Sequence, residues 1–278
     1  MNTRLKVRPS TMMIYAILLF FAVVVLLPFM SVVFSSFRHY DEVILNPMAF
    51  PPYPTFVSLQ RAWIEGRMAR YTVNSIIVII PRVLLTLIIS SMAGFAFAKL
   101  PFIGREKFYI YILLGLMVPF QAVMIPLYYS LMHLNIANTY WALILPGVGL
   151  SMPFCVFLMR AFYTDLPNEL MDAAKIDGCG AYRTFFYVMQ PLAGPGLTSL
   201  MIFQFLWGWN DFILPLLLIT DENLRTLPLA VNFFTGRYSS RQPLIAACVV
   251  IASVPIIFLF IAFQRKFTEG VTVGAVKG

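Results

Sequence analysis

Two short runs hold residue types that can do chemistry: Glu169-Leu170-Met171-Asp172-Ala173-Ala174-Lys175-Ile176-Asp177-Gly178 and Trp207-Gly208-Trp209-Asn210-Asp211. Around them the text is almost wholly apolar. The chemistry of the first run is recognition of another protein. Its residues are helix formers, Pro167 suits the helix's first turn, where a missing N–H costs little, and Asp165 is a cap candidate. Gly178 can stop the helix in a left-handed conformation. Leu170, Ala173, Ala174 and Asp177 follow i, i+3, i+4, i+7 spacing and make a small-sided face that ends in a carboxylate. Small side chains let a second protein approach closely. An ordinary amphipathic loop helix has the same spacing, and spacing alone does not separate the two readings.

The second run places Asn210 and Asp211 beside Trp207 and Trp209 inside an apolar stretch, and Arg82 follows Pro81 in another. Charges inside such stretches are expensive and mark functional positions by default. Aromatic planes beside an amide and a carboxylate suit a sugar, whose ring face stacks while its hydroxyls take directional hydrogen bonds. Polar residues that merely join neighbouring helices would look the same. Arg82 is a candidate partner for Asp211, although nothing in the sequence fixes that pairing. Catalytic chemistry finds little support. Cys155, Cys179 and Cys248 have no metal or redox spacing, and His39 and His133 stand far apart. No phosphate-binding Gly-x-x-x-x-Gly-Lys-Ser/Thr loop occurs, and Gly194-Pro195-Gly196 lacks the lysine. No ATPase, metal site or nucleophile–base set is legible in this chain.

These residues must be held by long apolar elements. Of 278 residues, 60% are hydrophobic and 12% charged, where a soluble domain has about a quarter charged. The composition defines an all-α polytopic membrane protein. Six transmembrane helices can be drawn, at about 12–34, 72–98, 108–131, 140–161, 195–219 and 243–263, each near the ~20 residues a bilayer needs. The first is expected to be a retained helix, since no small-residue cleavage site precedes Phe37-Arg38. With the N-terminus inside, the inner segments hold twelve Lys and Arg and the outer segments seven. That excess favours both termini in the cytoplasm and puts the 166–178 helix there too. The net charge of +8 is scattered at span ends, which argues against nucleic acid as a partner. The outer segment 38–71 is expected to run as an extended, proline-rich wrap over 46–54. A short interfacial helix from Ser58 to Arg70 should follow, with Trp63 at headgroup depth.

The first run resembles a cytoplasmic motif of bacterial ABC importer membrane subunits: Glu-Ala-Ala, three residues, Gly, nine residues, Ile-x-Leu-Pro. Here it reads Asp172-Ala173-Ala174, three residues, Gly178, nine residues, Val188-Met189-Gln190-Pro191. Asp172, Val188 and Gln190 depart from the pattern, and Gln190 is the one substantial change. Trp209-Asn210-Asp211 with Thr226-Leu227-Pro228, and the ending from Gln264 to Gly278, resemble the carbohydrate-importing branch, in particular the smaller membrane subunit of maltose-type importers. The resemblance implies a type I ABC importer permease fold in a bacterial inner membrane. It implies a second homologous membrane subunit, two ATPase subunits that hold the ATP and Mg, and an extracytoplasmic solute-binding protein. Glu169, Asp172, Ala173, Ala174, Asp177 and Gly178 would then couple to an ATPase. Trp207, Trp209, Asn210 and Asp211 would border the substrate pathway. The chain divides on this reading into an N-terminal segment 1–71, a core 72–264 and a tail 265–278. The rival expectation is an ion-coupled secondary transporter of a small polar solute, for which one Arg and one Asp are few charges.

Overall fold

The computed structural model describes residues 9–46, 49–229, 231–232 and 242–275, and among them every regular element is helical. Contacts divide the chain into two compact units, Met1–Ala69 with Ala230–Ser253, and Arg70–Leu229 with Val254–Gly278.

In the first unit, α1 (Pro9–Ser36) is apolar on all sides, as a helix in hydrocarbon must be. It is followed by α2 (Tyr40–Leu45) and α3 (Val57–Ile64). Hydrogen bonds anchor both ends of the stretch between them, of which residues 47 and 48 lie outside those described. Buried Arg38 donates through Nη1 to the Asn46 carbonyl at 2.6 Å and through Nη2 to the Glu42 carbonyl, and the Thr55 N–H reaches the Phe37 carbonyl at 2.8 Å. Phe50 and Tyr53 stay exposed. The helix expected over 58–70 ends at Ile64. Glu65-Gly66 turn the chain, Arg67 adopts a positive φ of 50°, and the next helix begins at Met68.

The second unit is built on α4 (Met68–Lys99) and α7 (Tyr140–Asp165). Between them lie α5 (Arg105–Leu114) and α6 (Phe120–His133), which meet at a 99° bend. The expected straight helix 108–131 is therefore broken. Pro119 lacks an N–H and pushes Val118 into extended backbone (φ −85°, ψ 111°). After α8 (Glu169–Ile176) and α9 (Ala181–Arg183) comes a six-residue π-helical turn, Thr184–Met189. It leads through α10 (Gln190–Leu192) into α11 (Gly194–Trp209). The helix expected over 195–219 also breaks, at Asn210–Phe212, before α12 (Ile213–Leu218). The last helix, α13 (Gln242–Ala275), continues well past the expected end at 263.

Among the described residues four helices are long and apolar enough to cross a membrane, or five if the bent α5–α6 pair counts as one. Two cores position the sites. Val78, Leu143, Val148, Leu214 and Leu218 pack α4, α7 and α12 together. Phe95, Met159, Tyr163, Met171, Phe185 and Leu200 pack α4, α7, α8, the π turn and α11. The Tyr163 hydroxyl is satisfied by Ser91 Oγ at 2.7 Å.

Candidate functional sites: an exposed short helix and a buried ion pair

The sequence of α8 explains both of its ends. Asn168 lies at the N-cap, but its side chain bonds no backbone N–H there. Its Oδ1 instead accepts from Lys99 Nζ at 2.7 Å, and the same ammonium reaches the Leu166 carbonyl at 2.6 Å. The end of α4 thus grips the start of α8. Asp165, the expected cap, is the last residue of α7. At the other end Gly178 has φ +72°. Its N–H bonds the Lys175 carbonyl at 3.0 Å and the Cys179 N–H bonds the Ala174 carbonyl at 2.9 Å, the paired bonds of a Schellman stop. Nothing lies within 4 Å of where a Gly178 Cβ would be, so glycine is favoured there by backbone conformation and not by crowding.

The faces of α8 differ from the spacing argument. Met171 and Ala174 are buried and Leu170 is half-buried, while Ala173 and Asp177 are exposed. The i, i+3, i+4, i+7 set is split because Met171, the larger side chain, takes the core seat and rotates the helix. The outward face carries Glu169, Asp172, Ala173, Lys175, Ile176, Asp177 and Gly178. Ile176 is 86% exposed. Asp172 pairs with Lys175 at 3.2 Å with both side chains about two-thirds in solvent, a contact worth little.

The second site joins α4 to the α11–α12 break. Arg82 Nη1 donates to Asp211 Oδ2 at 2.9 Å, and Asp211 Oδ1 accepts the Leu214 N–H at 3.3 Å. Arg82 lies midway along α4 and is 9% exposed. Its neighbour across the interface is Gly147 of α7, where a Cβ would fall 2.5 Å from Nε. Trp209 is buried and stacks on Phe205 at 5.4 Å. Asn210 is exposed, with its Nδ2 on the Leu206 carbonyl at 2.8 Å. Trp207 is 48% exposed and stands against Phe154 at 5.1 Å and Phe203 at 6.0 Å. The four residues singled out in the sequence therefore divide: Trp209 and Asp211 turn inward, Trp207 and Asn210 outward. Sequence reading missed Phe203, Phe154, Gly147 and Lys99. Phe203 was legible as the i−4 neighbour of Trp207. The other three come from distant elements and leave no local signal.

Among the described residues no group of three or more His, Cys, Asp or Glu is placed to hold a metal ion. An exposed short helix and apolar helices joined by a largely buried ion pair are what the described residues offer as sites. Residues 86–273 match the family described as binding-protein-dependent transport system inner membrane component. The chain belongs to this family, the permease subunits of ABC importers. It is 38% identical over 263 residues to the arabinooligosaccharides transport system permease protein AraQ of Halalkalibacterium halodurans, covering 93% of this chain and 94% of the relative. It is 32% identical over 265 residues to the diacetylchitobiose uptake system permease protein NgcG of Streptomyces coelicolor, covering 95% and 88%. A chain from the crystal structure of a bacterial ABC transporter involved in the import of the acidic polysaccharide alginate has the same fold. The TM-score is 0.80 at 20% identity, over 96% of this chain and all of the other. The relatives are transport subunits and not enzymes.

Proposed function

We propose that this chain forms half of the translocation pathway of an ATP-driven importer for a sugar or sugar-like solute in a bacterial inner membrane. Six membrane crossings, with both termini in the cytoplasm, would be made by α1, α4, the bent α5–α6 pair, α7, the broken α11–α12 segment and α13. Partners are a second homologous membrane subunit, two ATPase subunits that bind ATP and Mg, and an extracytoplasmic solute-binding protein. The outward face of α8, with Glu169, Asp172, Ala173, Asp177 and Gly178 as its set, docks on an ATPase, while Ala174, expected in the same set, packs inward beside Met171. Movement of that ATPase tilts α8 and, through Met171 and the π turn, the helices rooted beside it. Such a lever works by making different contacts in two states of the assembly.

The observation that carries this reading is the construction of α8. It is clamped by Lys99, stopped by Gly178, seated by Met171, and yet shows solvent a charged face with a bare isoleucine. The sugar assignment rests on the arabinooligosaccharide and diacetylchitobiose names of the relatives. The aromatic group Phe154, Phe203 and Trp207, with Asn210 one turn after Trp207, supports it, because ring planes stack on a sugar's apolar face and an amide hydrogen-bonds its hydroxyls.

Uptake into proteoliposomes containing the whole complex and its binding protein tests the mechanism. A panel of labelled arabino-oligosaccharides and chito-oligosaccharides serves as probe. Uptake is expected with internal or external ATP at the ATPase face and no ion gradient. Uptake driven by a membrane potential or ion gradient with ATP removed would instead establish the ion-coupled secondary transporter.

A further inference from the structure

We propose that Arg82 is a positioning residue: through Asp211 it fixes the break between α11 and α12 and so sets where Asn210 and Trp207 stand toward the solute. The proposal rests on the pathway reading above. It assigns Asp211 a part other than solute contact, and it adds a residue from another helix.

Both oxygens of Asp211 are committed. Oδ2 takes Arg82 Nη1 at 2.9 Å and Oδ1 takes an N–H from the first turn of α12, at Leu214. One carboxylate therefore ties the end of α11, the start of α12 and the middle of α4. The surroundings are shaped for this one contact. Gly147 leaves room for the guanidinium, since a Cβ there would fall 2.5 Å from Nε and 2.7 Å from Cζ. Gly208, three residues before Asp211, lies against Ile79 and 3.7 Å from Arg82 Nη1 if given a Cβ. Arg82 Nε is buried without a hydrogen-bond partner, so the side chain forgoes one bond to occupy this seat. A pair of apolar side chains would fill the space at no such cost. The charged pair adds direction: it defines one angle for a break that has no continuous helix to define it. Asn210 sits inside that break and Trp207 one turn earlier, on the same side of α11. The Asn210 and Asp211 N–H groups still bond the Leu206 and Gly208 carbonyls, so the last turn of α11, which carries both residues, is held where Asp211 is held.

The test uses the assembled transporter, with Cys179 and Cys248 replaced by serine and Asn210→Cys introduced. Native Cys155, fully buried in the same unit, stays as a reporter of general loosening. Labelling by a water-soluble maleimide is followed at each cysteine by mass spectrometry. Arg82→Gln and Gly147→Ala should each change the labelling rate at position 210 by about tenfold, the factor that ~1.4 kcal/mol represents, with Cys155 still protected. Arg82→Lys should return the rate to near the parent's, because the contact uses one nitrogen and not a two-pronged fork. An unchanged rate at position 210, parallel labelling of Cys155, or a lysine variant that behaves like glutamine would each overturn the proposal. Labelling needs neither ATP nor solute. Failure of the ATP-driven reading would therefore show in the uptake assay alone.

Discussion

Gly178 and Asp172 lie on one short helix, and the structure gives them different physics. The side chain absent at Gly178 would meet open space, so any loss on substitution comes from φ +72°. A non-glycine residue there costs about 1–2 kcal/mol, and asparagine tolerates the conformation best. Gly178→Val is expected to leave the assembled complex intact and to lower solute-stimulated ATP hydrolysis, while Gly178→Asn stays near the parent. Hydrolysis rates on purified complexes decide this, and a valine variant that couples like glycine would remove the docking role. Asp172 is held only by the solvent-exposed Lys175, so its carboxylate is available to a partner. Asp172→Ala should reduce the ATPase retained through detergent purification without changing the permease's melting temperature. Equal retention would show that the carboxylate stays solvated.

At the scale of elements, what matters is how a helix of eight residues stays rigid. Isolated helices of that length do not persist in water, so α8 draws its order from neighbours. Met171 enters the core shared by α4, α7 and α11, and Lys99 ties down Leu166 and Asn168. Lys99→Met removes both of these charge-assisted hydrogen bonds and should loosen the first turn by roughly 1.5–3 kcal/mol. Hydrogen exchange of amides 169–172 should accelerate accordingly, with the stretch around Cys155 unaffected. Exchange equal to the parent's would mean that Met171 alone seats the helix. The same logic applies to the α11–α12 break. Six residues of α12 hold their place because Asp211 satisfies the Leu214 N–H while Leu214 and Leu218 fill the core.

For the whole molecule, the distribution of positive charge makes an orientation prediction. Twelve Lys and Arg fall in the segments assigned inside and seven in those assigned outside, so tags on the two ends should both be digested only after the membrane is opened. A tag cut from outside on intact spheroplasts would reverse the assignment. Buried Arg38 gathers the Glu42 and Asn46 carbonyls after α2, and the described residues of the stretch expected to run extended, 46 and 49–54, form no helix or strand.

The sequence alone determined that this chain is a helical membrane component, where most of its apolar helices lie, and that Gly178 ends a short helix. Each of these is written locally: apolar run length, lysine and arginine at run ends, and a glycine after a helical pattern act over a few residues. Only the tertiary structure decided that the expected helices 108–131 and 195–219 are broken, that Met171 turns Ala173 and Asp177 outward, and that Asp211 is spent on Arg82. A break depends on whether neighbouring helices satisfy the freed backbone groups. A helix's rotation depends on which side chain the core accepts. Arg82 and Asp211 are 129 residues apart, and what brings them together is the packing of α4 and α7 around a glycine that leaves room for a guanidinium.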